Sequence, residues 1–189
     1  MGKIYDEKIK FCPRFRNISA DFRLILERLF LDDLEESKNL KSLILIPQSN
    51  CITKRKLYED VIDSFDISSL IKEDYISFTP NLKLDFNDDK QVKIILSVNQ
   101  FVPTKNPAYY SYLLNIYVLT SYDCWMLDNF DIRSMAISGI IAGKLGGRKL
   151  TGIGVTSQPL IMQYAGNQLG GYISSYTITQ GADDTVEKE

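Results

Sequence analysis

The chain has 189 residues, 44% of them hydrophobic and 24% charged, with a formal net charge of −2. That predicts one globular domain with a real core, and the balance of charge carries none of the basic excess of a nucleic-acid or anionic-membrane binder. There is no histidine, which removes the usual general base near neutral pH, the usual Ser or Cys activator and the commonest zinc ligand.

Residues 1–17 read as an irregular arm broken by Pro13. It carries Lys3, Lys8, Lys10, Arg14 and Arg16 against Asp6 and Glu7. Ser19 then caps a helix, with Asp21 in its first turn. Phe22, Ile25, Leu26, Leu29 and Phe30 share one face of that helix. The acidic stretch Asp32, Asp33, Glu35 and Glu36 follows. Leu43–Pro47 is short, apolar and ended by proline, and reads as a strand. Residues 53–65 suit a helix capped by Thr53, with Leu57, Val61, Ile62 and Phe65 on one side. Residues 66–80 show no clear period.

From Leu82 the period changes to two. Residues 82–86, a turn at 87–90 and residues 91–101 read as a hairpin, with Val92, Ile94, Leu96 and Val98 on one face. A loop at 102–108 leads into a strand in which Tyr110, Tyr112, Leu114, Ile116 and Val118 alternate. Leu113, Tyr117 and Leu119 make its other face apolar too, which predicts a central or covered strand.

Asn129 or Asp131 opens a second major helix, with Ile132, Ala136, Ile137, Ile140, Ile141 and Leu145 inward and Gly146-Gly147 as its stop. Gly139 and Gly143 leave a smooth stripe on it for close approach. Strands at 151–162 and 172–179 follow, turning at Gly170-Gly171. Residues 181–189 form an acidic tail with Asp183, Asp184, Glu187 and Glu189. The whole predicts an α+β fold: a mixed or antiparallel sheet on two or three helices, a single domain over 18–180, and extended arms at both ends. Those arms read either as solvated ends or as segments that dock on neighbours.

The three cysteines, Cys12, Cys51 and Cys124, have no chelating spacing and predict buried free thiols in a reducing compartment. The N-terminus lacks a signal-peptide core. No apolar run approaches the ~20 residues of a membrane span, and Asp6 stands where the myristoylation pattern after Gly2 wants Ser or Thr. The expectation is a soluble chain.

Gly139–Leu145 resembles a phosphate loop but lies within a helix, one residue short, with Leu145 where a magnesium-binding hydroxyl should be. Gly152-Ile153-Gly154 lacks the third glycine of a dinucleotide fingerprint. Asp85, Asp88 and Asp89 do not follow calcium-loop spacing and read as turn residues. No metal or cofactor is expected. The tyrosines Tyr109, Tyr110, Tyr112 and Tyr117 suit a strand and a protein interface. At Asp123-Cys124-Trp125, Asp123 organises the turn and Trp125 covers the edge of the core. Arg133, in the first turn of the next helix, is expected to pair with Asp123 or Asp128, or to bridge to another subunit.

The order of elements, carried by YLLNIYVLTSYDCW (112–125), DIRSMAISGII (131–141) and GRKLTGIGVT (147–156), resembles the tail-terminator-like neck and tail-completion proteins of tailed bacteriophages. The resemblance covers roughly residues 90–180; the long portion 1–80 departs from a minimal terminator. It implies a structural virion protein, assembled in the bacterial host cytoplasm into a six- or twelve-fold ring. That ring joins portal, neck or tail proteins around a channel for the genome DNA, without enzyme, cofactor or membrane. A composition rich in Ile, Asn, Lys and Tyr suits a phage of an AT-rich host, such as the crAss-like phages. Interface candidates are Asp123, Trp125, Arg133, Tyr110, Tyr112, Tyr117, Gly139 and Gly143. Two other readings stand beside it: a carboxylate-dependent hydrolase using Asp85, Asp88, Asp123 and Asp131, and a regulatory module that binds peptide along a sheet edge.

Overall fold

The computed structural model describes residues 13–31, 34–78, 92–103, 109–150 and 154–181. The predicted strand at 82–86, its turn, residues 1–12 and residues 182–189 lie outside them. The fold is α+β, and the described residues form five helices and a curled mixed sheet of seven strands. The helices are α1 (Pro13–Phe30), α2 (Leu34–Leu45), α3 (Glu59–Ser64), α4 (Ile67–Lys72) and α5 (Arg133–Leu145). The strands are β1 (Ile76–Ser77), β2 (Val92–Pro103), β3 (Tyr109–Ser121), β4 (Lys149–Leu150), β5 (Gly154–Thr156), β6 (Leu160–Ala165) and β7 (Leu169–Gly181).

Helix α1 begins at Pro13, six residues before the expected cap at Ser19. Proline suits a first turn, where its missing N–H costs nothing and its fixed φ is already helical. Asp21 therefore lies mid-helix rather than in the first turn. It is buried, and accepts a hydrogen bond from the Tyr112 hydroxyl at 2.7 Å. Ile25, Leu26, Leu29 and Phe30 are buried as their spacing predicts.

The expected strand at Leu43–Pro47 is instead the end of α2. Glu35 and Glu36 occupy its first turn, where the helix dipole favours negative charge. Leu40, Leu43 and Ile44 follow the helical period. The run looks unbroken because Leu45 and Ile46 are buried as well. The helix expected at 53–65 is split into a 3-10 turn over Arg55–Tyr58 followed by α3. Three residues per turn shift the inward face, so Leu57 and Val61 are exposed while Ile62 is buried. In the ambiguous stretch 66–80, Asp66 caps α4 by accepting from the Ser69 N–H at 2.7 Å. The Ser69 hydroxyl first, and then this N–H, hold its carboxyl below the usual range.

The sheet runs β1–β2–β3–β7–β5–β4, with β6 beside β7 on the same edge as β5. Among the described strands only the β1–β2 pair is parallel. Strand β3 is central, paired along its full length with β2 and β7, as its two apolar faces predict. Tyr112, Leu114, Ile116 and Val118 join Val92, Ile94, Leu96, Tyr176 and Ile178 in one core with α1, α2 and α5. On the other face Ile95, Leu119 and Leu169 form a small second cluster, flanked by Tyr117 and Tyr164. The expected strand 151–162 is divided between β5 and β6, and Gly170-Gly171 lie within β7 rather than at its turn. Gly171 needs to be glycine, because a Cβ there would overlap the Val118 carbonyl on β3.

Candidate functional site

The most unusual group in the fold is Arg133. It is fully buried, at the start of α5. The expected pair with Asp123 or Asp128 is not formed; the guanidinium takes five backbone carbonyls instead. Nε donates to Cys124 O at 2.9 Å. Nη1 donates to Leu43 O at 2.9 Å and Ile46 O at 2.6 Å. Nη2 donates to Pro47 O at 2.9 Å and Gln48 O at 2.8 Å. A guanidinium has five N–H donors, and this geometry uses them all. Four acceptors belong to the last turn of α2 and the chain leaving it, where carbonyls lack helical partners and carry the negative end of the dipole. The cation is thus neutralised by peptide dipoles.

The same corner is closed from the other side. The Arg133 backbone N–H donates to Trp125 O at 2.9 Å, Leu127 N to Asp131 O at 2.9 Å, and Asp128 N to Ser49 O at 3.1 Å. Ser42 Oγ donates to Cys51 O at 2.5 Å. Thr53, expected as a helix cap, donates its hydroxyl to the Asp128 carboxylate, with Asn50 O 3.3 Å away. Helix α5 has no side-chain cap: Ile132 occupies that position. Asn129 and Asp131 bond to one another in the preceding turn instead. Cys51 and Cys124 are free and buried beside this corner. Burial pushes both thiols above the ordinary range, and the Arg133 charge opposes that without reversing it.

Asp123 is exposed, on a 3-10 turn (Tyr122–Cys124) where the Ser121 hydroxyl accepts from its N–H. Trp125 is half-buried and lies over Gly170, where a Cβ would stand 2.9 Å from its ring. Tyr122 packs against it with ring centroids 5.5 Å apart. Trp125 therefore lies over the start of β7. Tyr112 is buried in the core and offers no surface to a partner, a correction to its reading as an interface residue. Tyr117 is half-buried in the second cluster. Tyr110 belongs to β3, paired with Pro103 and Gln180; its side chain lies outside the described residues. Gly139 and Gly143 are exposed on α5 in line with exposed Met135, and nothing in the fold approaches within 4 Å of a Cβ placed at either glycine. Gly139–Leu145 is helical, and its Lys144 is buried 3.6 Å from Glu36.

Of the four candidate carboxylates, Asp85 and Asp88 lie outside the described residues, while Asp123 and Asp131 are exposed. A groove of about 730 Å³ opens between α1 and α4. It is lined by Phe22, Leu26, Leu31, Ile67, Ile71 and Phe78, with the Arg23–Glu27 ion pair (2.8 Å) at its rim. Among the described residues no group of three or more Cys, Asp or Glu is placed to hold a metal ion, and no helix is long and apolar enough to cross a membrane. Sequence reasoning missed the Asp21–Tyr112 bond, the carbonyl cage and the separation of β6 from β5. The last left one signal: Pro159 interrupts the expected strand 151–162 just before Leu160, Ile161 and Met162.

These features define an α+β domain with helices on one face of a mixed sheet and a buried arginine clamping helix α2 to the β3–α5 corner. The family model YomW matches residues 37–178, three quarters of the chain, and takes in both the clamp and the sheet. The chain belongs to the YomW family. That name is of a protein from the Bacillus phage-derived SPbeta region, and the chain is phage-related on this ground. No curated protein matches it.

Proposed function

We propose that this phage-related chain is a non-enzymatic structural protein of the virion. It forms a homo-oligomeric ring in the neck or tail connector, between portal-side and tail-side proteins and around the DNA channel. One observation carries the reading: how the described side chains are divided. The buried polar and charged groups Arg133, Asp21 and Lys144 bond to other parts of the fold. The exposed faces of α5 and β6 present Met135, Gly139, Gly143, Leu160, Ile161 and Met162, none of them charged. Chemistry needs ionisable groups converging on a cleft; assembly needs a firm scaffold and uncharged contact surface. Phe130 adds to that surface. It is 85% exposed and held at φ 66°, on the turn just before α5. A net charge of −2 suits a channel that duplex DNA must slide through without being gripped.

Immunogold electron microscopy of intact phage particles tests this, using antibody raised against the full chain. Label at the head–tail junction is the expected result. Particles free of label, with the protein found only in the soluble lysate, would contradict it.

A further inference from the structure

Strand β6 is bonded to β7 along one edge, from Leu160 opposite Ser175 to Ala165 opposite Gly170. Among the described residues no strand pairs with its other edge, since β4 covers only β5. Such an edge is a row of unsatisfied N–H and C=O groups, which proteins usually guard with charge, proline or a bulge. Leu160–Ala165 contains no charged residue and no proline. Leu160, Ile161 and Met162 are 64%, 47% and 49% exposed. Alternation puts Leu160 and Met162 on one face and Ile161 on the other, so the edge is apolar on both sides. A further polypeptide strand would satisfy the backbone row and cover both faces at once.

The charges at its two ends select which strand. At the N-terminal end, Gly147 N donates to Ser157 O at 3.1 Å and Thr156 N to Arg148 O at 2.9 Å, which places exposed Arg148 and Lys149 there. At the C-terminal end, Tyr122 N donates to Gln168 O at 3.4 Å and the Tyr122 hydroxyl to Gly166 O at 3.0 Å, which places exposed Asp123 there. None of these three has an ion-pair partner among the described residues. An antiparallel copy of β6 sets the basic end of each chain beside the acidic end of the other. A parallel copy would set like beside like.

We infer that β6 pairs antiparallel with β6 of a second copy about a two-fold axis, with Arg148 and Lys149 of each chain facing Asp123 of the other. The sheet then runs unbroken through both chains. This goes beyond the ring reading: a two-fold contact is isologous and cannot be the head-to-tail contact between neighbours in a ring, so it joins a copy in one ring to a copy in a second, and the two readings can fail separately.

The test is the copy number of the purified full chain by sedimentation, at low and high salt, with circular dichroism confirming that each variant is folded. The wild type is expected to hold an even number of copies. Met162→Lys, which sets like charges against each other near the two-fold axis, should halve that number. Asp123→Lys should weaken the pairing at least tenfold at low salt, and adding Arg148→Asp and Lys149→Asp should restore it. A wild-type monomer, an odd-numbered assembly, a folded Met162→Lys chain with the wild-type copy number, or a triple variant that stays unpaired would each overturn the inference. A ring whose copy number survives Met162→Lys removes the β6 contact and leaves the virion reading standing. A pair that never grows beyond two copies keeps the contact and removes the ring.

Discussion

Arg133 is held by acceptors that every residue possesses, which is why its partners could not be read in advance. The sequence marks the strand–helix corner with Asp123, Trp125 and Arg133, but four of the five carbonyls lie 85 to 90 positions away. Lysine keeps the charge but has three donors where five are used. Arg133→Lys should therefore cost about 2–4 kcal/mol, seen as a lower urea midpoint at unchanged slope. Asp123→Asn should shift stability by no more than about 0.5 kcal/mol, as for an ordinary surface change; a larger loss would point back to an Asp–Arg pair. The Asp21–Tyr112 bond spans 91 positions and was equally hidden. Tyr112→Phe should cost about 1.5–3 kcal/mol, the range for a hydrogen bond to a charged group. The buried acids set a pH limit. Cys51 and Cys124 are raised by burial, and Tyr176 is pushed up to about 12 by burial above all. Each stays protonated in the folded chain while its unfolded counterpart ionises, near pH 8.5 for thiols and 10 for tyrosine. Their contribution is complete below those values and is lost as pH rises through the folded values. Urea midpoints should fall from about pH 9 towards 12, and Cys51→Ala with Cys124→Ala should flatten the lower part of that fall.

Among the elements, those with long, clean periods were legible. Alternation located β2 and β3 and placed β3 at the centre; the apolar stripe of α5 and its glycine stop also stand where expected, with Gly147 at φ 64°. The α2 error has a physical cause: a helix end buried on all sides looks like a buried strand. Helix α3 lost its pattern to a 3-10 turn, and β6 has no buried face whose pattern could announce it. Two glycine substitutions separate the roles of these elements. Gly171→Ala should abolish cooperative folding or cost more than about 3 kcal/mol, because β3 and β7 cannot pair around the new methyl group. Gly139→Ala meets nothing in the fold and should stabilise the single chain by about 0.5–1 kcal/mol through helix propensity. Thermal and urea unfolding of both variants reads the contrast.

The whole molecule puts its helices on one face of the sheet and leaves an open apolar strand at one side. In the sequence, the assembly reading rested on the absence of histidine and of a catalytic pattern, together with the resemblance to phage ring proteins. The surfaces that would make contacts depend on tertiary placement: among the described residues, β4 pairs only with β5 and leaves β6 exposed, and no element crosses the α5 stripe. In the proposed ring, several copies of this chain close on one another around a passage for DNA. Negative-stain electron microscopy of the purified full-length protein, averaged by class, examines it most directly. Closed rings of one fixed copy number, with a central opening wide enough for duplex DNA, are the predicted result. Single particles of about 21.6 kDa at every concentration would contradict it.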